Sequence, residues 1–234
     1  MSSSASRHKQ FCPLAMASDV LGGRWTMMLL SELLRGTSRF NDLRRGLPRM
    51  SPTLLSKRLK ELEAAGLLAR SPSAEDPGLY EYALTDAGLA VEPIVDAMGD
   101  WGHRWVTTQA TLEHLDVRLL MWNLRRNLDP NPMPPGRSVI QFVYRDLPTE
   151  TRNWWLLAYP GEEIDLCSVD PGYDVDLYVT TDLRTMTEVW MGYAPARDAI
   201  ESGRLLVVGK RALESTFQAW LGASRYAALE KCVA

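Results

Sequence analysis

Cysteine and histidine are scarce in this chain. Its 234 residues include three of each, Cys12, Cys167 and Cys232, and His8, His103 and His114. The cysteines are odd in number, far apart and form no CxxC, which speaks against a disulfide framework and a zinc cluster. No histidine stands in a Ser/His/Asp order or at a metal-ligand spacing, and His103, between Trp101 and Trp105, reads as structural. No glycine-rich phosphate loop follows a β-type run. Asp170, Asp174 and Asp176 surround a Pro-Gly turn without EF-hand spacing, so they read as solvated turn carboxylates. Long apolar runs are missing too: none reaches about 18 residues, the length expected of a membrane-spanning helix. The lead Met1–Gln10 has no apolar stretch of the signal-peptide kind and reads as a short disordered tail. No repeat or low-complexity segment is present. These absences point away from an enzyme, a metal site, a cofactor and a membrane, and toward a cytoplasmic protein.

What is present is ordinary globular composition, 46% hydrophobic and 24% charged, enough for one or two domains. The net charge of −3 looks wrong for a nucleic-acid binder. The average hides a gradient: 13 Lys and Arg face 12 Asp and Glu in residues 1–106, but 13 face 17 in residues 107–234. Between residues 35 and 60 stand Arg35, Arg39, Arg44, Arg45, Arg49, Lys57, Arg58 and Lys60, with Asp42 the lone acid. Such a local excess is the electrostatic signature of a nucleic-acid surface, although a solvated basic face gives the same count.

The order of elements decides between these two. Residues 18–35 read as a helix with Ser18 or Asp19 as N-cap and Gly36 as its stop. Residues 38–45 read as a short helix with Phe40 and Leu43 inward. Ser51-Pro52 then opens a third helix that Gly66 closes. At about 100° per residue, Leu55, Leu59 and Leu62 share one face, and Thr53, Ser56, Lys57 and Lys60 the other. A helix seated in a major groove needs this division, one face for the core and one for bases and phosphates. Leu67–Ser71 and Leu79–Leu84 are β-prone runs around a turn-rich segment, a hairpin or wing. Thr85 caps a further helix in which Pro93 must lie near a first turn or bend it.

A second composition begins near residue 107. Leu115–Leu128 is helix-like, and Asp129–Gly136 is a proline-rich breaker. β-type runs follow at 138–144, 153–159, 164–168 and 174–180, with Pro148, Pro160-Gly161 and Pro171-Gly172 in their turns. Helices at about 181–193 and 211–222 flank a short strand at 205–208. The fold class is therefore α+β: a winged helix-turn-helix over 11–106, then an α+β domain with an antiparallel sheet over 112–230.

Four stretches in the first half, taken in order, resemble the HxlR family of winged-helix regulators. They are Cys12-Pro-Leu-Ala with Val20-Leu-Gly-Gly-Arg-Trp-Thr26, Arg39-Phe-Asn-Asp-Leu-Arg44, Ser51-Pro-Thr-Leu-Leu-Ser-Lys-Arg-Leu-Lys-Glu-Leu62, and Tyr82-Ala-Leu-Thr-Asp-Ala-Gly88. The resemblance covers about residues 11–105. It implies a homodimer on a double-stranded, pseudo-palindromic operator, read by the helix that Ser51 opens. It assigns Ser51, Thr53, Ser56, Lys57 and Lys60 to that helix's reading side, Arg39 and Arg49 to phosphates, and Arg70 with the wing tip to the minor groove or backbone. A solvated or salt-bridged role stands beside each arginine, and Trp25 and Phe40 read as core. Dimer surfaces are expected on the helices at 11–35 and 85–106. Cys12 matches the position of a redox-sensing cysteine in several family members, and a thiol before a helix can react with oxidants; a buried anchor is its other reading.

More faintly, Leu120-Met-Trp-Asn-Leu-Arg-Arg126, Asp176-Leu-Tyr-Val-Thr180 and Ala199–Gly209 resemble the sterol carrier protein type 2 fold, which holds apolar molecules between sheet and helices. Trp155, Tyr178, Trp190, Phe217 and Trp220 are then candidates to line a pocket for an apolar small molecule, with core or dimer packing as the alternative. The function expected is an operator-binding regulator modulated by such a ligand or by redox stress. The competing reading is a small-molecule carrier or accessory protein whose winged helix makes only protein contacts.

Overall fold

The computed structural model describes residues 8–233 other than Glu75, Pro77 and Pro160. Most of the expected disordered lead, two wing-tip residues and one proline of an expected turn therefore lie outside the described chain. By their internal contacts the residues form two compact units, one ending at Gly99 and the other starting at Asp100. The break expected at 107–111 falls instead within a helix.

The first unit runs α1 (Pro13–Leu21), α2 (Thr26–Leu34), α3 (Phe40–Gly46), α4 (Pro52–Ala64), β1 (Leu68–Pro72), β2 (Tyr80–Leu84) and α5 (Asp86–Leu89), and the helix α6 (Glu92–Trp105) begins in it. The single helix expected at 18–35 is two. Pro13 in the first turn starts α1 directly after Cys12, so Ser18 and Asp19 are interior rather than caps. Gly22-Gly23 stops α1, and Trp25 restarts the chain from a left-handed conformation, φ 74°. Pro93 is the second residue of α6, where a proline displaces no intrahelical bond.

The helix α4 follows its sequence signals closely. Ser51 Oγ accepts the Leu54 N–H at 3.3 Å, and Pro52 occupies the first turn. At the other end Gly66 takes φ +77°. Its N–H donates to Glu63 O, and that of Leu67 reaches back to Leu62 O, both at 3.0 Å. Left-handed backbone with these two bonds closes the helix, and a glycine adopts it without side-chain cost. Leu55, Leu59 and Leu62 are all but fully buried, and they share a core with Leu29, Leu30 and Leu43. Phe40 is half-buried against the same cluster, as is Trp25.

The second unit contains α7 (Thr108–Leu112), α8 (Val117–Asn127), β3 (Ser138–Tyr144), α9 (Thr149–Arg152), β4 (Asn153–Ala158), β5 (Asp165–Cys167), β6 (Leu177–Thr181), α10 (Leu183–Met191), α11 (Ala196–Glu201), β7 (Leu206–Gly209), α12 (Arg211–Glu214) and α13 (Phe217–Leu221). The strand order is β5-β4-β3-β6-β7. The sheet is mixed, not antiparallel as expected, because its central pair β3 and β6 run parallel. The hairpin β3–β4 and then β5 fill one side of β3. The chain crosses back through 168–176 and enters β6 in the direction of β3. Residue alternation locates strands but carries no record of their direction. The expected helix at 211–222 is likewise two short ones.

One face of this sheet makes the core. Ile140, Phe142, Tyr144, Leu156, Leu177 and Val179 are fully buried there, with Met121, Leu124 and Met186 from the helices. Burial raises the Tyr144 phenol far above its ordinary value, and its hydroxyl donates to Met121 Sδ at 3.1 Å. No helix among the described residues is long and apolar enough to cross a membrane.

Candidate nucleic-acid interface

The outward face of α4 meets water along its length. Thr53, Lys57 and Lys60 are exposed and Ser56 is half-exposed. With Glu61 they line one shallow, open depression on the surface. Lys57 keeps 68% of its side-chain surface and lies 3.9 Å from Glu61, so water screens the pair strongly. No ion pair engages Lys60 among the described residues. Ser51, at the start of the helix, spends its hydroxyl on the cap described above.

The hairpin directly follows this helix, as expected. β1 and β2 pair antiparallel from Leu68↔Leu84 to Pro72↔Tyr80. The Arg70 guanidinium stacks 3.5 Å from the centre of the Tyr80 ring, a cation–π contact that stiffens the exposed hairpin. The wing is tied to the start of α3. Tyr82 N donates to Ser38 O at 2.9 Å, and Arg39 Nε donates to Glu81 Oε1 at 3.2 Å. Ser73 Oγ donates to the same carboxylate at 2.9 Å. The Ser73 hydroxyl foremost, and then Arg39, hold the Glu81 carboxyl below its ordinary value. Arg39 is thus engaged by the wing, although 42% of its side chain stays accessible. Arg49 is exposed just before α4.

Arg58 is the residue that counting charges misplaces. Only 15% of its side chain is exposed, and its Nε donates to Arg24 O at 3.1 Å. A helical wheel anticipates this: Arg58 sits about 60° from Leu55, on the flank of the buried face. Glu81 had no sequence signal, since its role depends on a pairing between distant elements.

Cys12 is exposed, at the residue before α1. His103 is buried, its Nε2 bonded to Leu229 O at 3.1 Å and its ring beside Tyr193 and Tyr226, in line with a structural role. The five aromatic pocket candidates do not converge. Trp190, Phe217 and Trp220 fill the main core of the second unit. Trp155 packs in a separate cluster with Val139 and Leu157. Tyr178 pairs through Gln141 with that same side of the sheet and is 44% exposed. Trp155 and Tyr178 thus share one face of the sheet, while Trp190, Phe217 and Trp220 come from α10 and α13 in the core on the other, so no single cavity takes all five. Among the described residues no cluster of His, Cys, Asp and Glu could hold a metal ion.

The helices α2, α3 and α4, the last of them two-faced, with a hairpin directly behind it, define a winged helix-turn-helix module. Residues 20–110 match the family model described as HxlR-like helix-turn-helix. The Bacillus subtilis HTH-type transcriptional regulator YvaP is 39% identical over 98 residues, which cover 42% of this chain and 91% of that protein. The Mycobacterium bovis regulator Mb3122 is 33% identical over 133 residues, 50% of this chain and 84% of its own. Among solved structures, the redox regulator HypR in its oxidised form is 40% identical across 39% of this chain and 94% of that one, with a TM-score of 0.37. The chain belongs to the HxlR-like helix-turn-helix family of transcriptional regulators.

Proposed function

We propose that the chain is a dimeric, sequence-specific regulator that binds operator DNA through α4 and the wing. The observation that carries this reading is the division of α4: buried leucines on one side, and Thr53, Ser56, Lys57 and Lys60 on the side that bears the surface depression. Arg49, Arg70 and the accessible part of Arg39 would contact phosphates. That relatives over this stretch are named transcriptional regulators argues against the carrier reading with a protein-binding wing.

Self-association is supported by α6. Ile94, Met98, Trp101 and Trp105 are each at least half exposed, and their 4-3-4 spacing makes a continuous apolar stripe of the kind that pairs helices. On α1, Phe11 just ahead of the helix and Leu14, Met16 and Val20 within it are exposed as well. A two-fold dimer would set two recognition helices about 34 Å apart, one turn of DNA. Within the second unit, residues 112–230 are read as a sterol-carrier-like domain and as the input domain for an apolar ligand. Its support is a sheet with one face under helices and an aromatic-rich interior. The exposed Cys12 is a second input, sensitive to oxidants.

The test is a mobility shift with DNA from upstream of the chain's own gene. Specific binding that disappears in Lys57→Ala plus Lys60→Ala supports the reading; a folded dimer that binds no DNA at low salt overturns it.

A further inference from the structure

Arg58 lies on the recognition helix, inside the basic stretch, yet it faces the protein. Its Nε–H donates to the carbonyl of Arg24 at 3.1 Å, and one Nη donates to Glu61, a turn further along α4. The backbone it grips is the α1–α2 junction, Gly22-Gly23-Arg24-Trp25. The contact is close. A Cβ on Gly23 would come within 3.1 Å of the guanidinium carbon and 2.8 Å of Thr26 Oγ1. Next to it Trp25 holds a left-handed conformation rare for a bulky side chain, φ 74°. Such backbone persists when its surroundings over-determine it. Here a planar guanidinium fork, a glycine that admits it, and the Thr26 N–H on Gly23 O at 3.0 Å all fix the same turn.

We infer that Arg58 is a positioning residue for DNA recognition: it locks the α1–α2 junction to the recognition helix and contacts no phosphate. The inference rests on the operator-binding reading above. α1 carries exposed apolar residues of its own, Leu14, Met16 and Val20, and follows Cys12, and Arg58 joins its end to the helix that reads bases. The joint sets the angle of α4 to the rest of the module, so its loss degrades the fit to a particular sequence. Attraction to the DNA backbone in general is left intact.

Salt dependence separates the two roles, because each phosphate contact adds roughly 0.9 to the slope of log K against log salt. Binding is measured by fluorescence anisotropy on a random-sequence duplex and on a duplex enriched from a random library by the wild-type protein. Lys57→Met is expected to lower the slope by about one. Arg58→Met is expected to leave the slope unchanged and to reduce discrimination between the duplexes by about tenfold or more, one base pair's worth of readout. Gly23→Ala, which presses on the guanidinium and removes no charge, is expected to show the same loss at unchanged slope. It also serves should Arg58→Met fail to fold. A slope that falls in Arg58→Met as in Lys57→Met, or full discrimination in Gly23→Ala, overturns the inference and leaves the operator-binding reading standing. Should the wild type bind neither duplex, that reading fails instead. Amide exchange then tests the joint alone: faster exchange at Thr26 in Arg58→Met supports it, and unchanged exchange refutes it.

Discussion

Trp101→Ala should weaken self-association by two to three orders of magnitude. Trp101 is 61% exposed in the single chain. A tryptophan side chain buries up to about 250 Å², so a partner could cover roughly 150 Å² of it. At about 25 cal/mol per Å² this is worth about 4 kcal/mol, an upper bound. Association converts area inefficiently, since side chains are ordered and polar neighbours desolvated. About half, roughly 2 kcal/mol, is a fair expectation for each copy. A two-fold interface contains the residue twice, giving about 3–4 kcal/mol, or roughly 100- to 1,000-fold in the dimer Kd. Sedimentation equilibrium over a concentration series reads this directly. Val169→Ala serves as the control: Val169 is 76% exposed and lies outside α6. A Trp101→Ala dimer constant within about threefold of wild type, well under 1 kcal/mol, would refute the assignment of the stripe to the interface.

Three further outcomes follow from named contacts. Ser51→Ala removes the hydroxyl that accepts Leu54 N–H and should lower stability by about 1 kcal/mol in urea unfolding, with the m-value unchanged; an unaltered midpoint would count against the cap. The Glu81 carboxyl is held below its ordinary 4.5 by Ser73 and Arg39. The fold therefore favours its charged form, and that stabilisation is present above the ordinary value and fades as pH falls through the depressed one. The wild type should be more stable than Glu81→Gln at neutral pH and lose that margin in acid, and an NMR titration placing Glu81 above 4.5 would show the sign to be wrong. Finally, Cys12→Ser should abolish the release of operator by diamide, and release identical to wild type would exclude Cys12 as the sensor.

The parts legible in the sequence are those whose signals are local. Ser51, Pro52 and Gly66 mark α4 because capping and left-handed closure depend on residues within one turn. Thr85 and the hairpin after Leu67 are readable for the same reason. The break at Gly22-Gly23 was missed because apolar residues continue on both sides of it, and periodicity alone runs a helix straight through. The separation of Trp155 from Trp220 depends on which face of the sheet the helices cover, and the parallel pairing of β3 with β6 on which way the chain returns to the sheet more than 30 residues after β3. Strand alternation is blind to that direction.

Charge illustrates the same limit at the site itself. A count over residues 35–60 treats eight basic side chains alike, and the structure divides them by task. Lys57 and Lys60 point to water from α4. Arg39 reaches the wing through Glu81, Arg45 pairs with Asp42 three residues back, and Arg58 turns inward to a backbone carbonyl. Net charge near a groove governs how strongly and how salt-dependently a protein is drawn to DNA. Sequence preference demands in addition that a reading helix arrive at one angle, and in the positioning role inferred above Arg58, turned inward, supplies that rigidity. On the proposed operator-binding reading the basic stretch is both an attractant and a scaffold, and arginine can serve both ends because it alone combines a permanent charge with a planar set of donors.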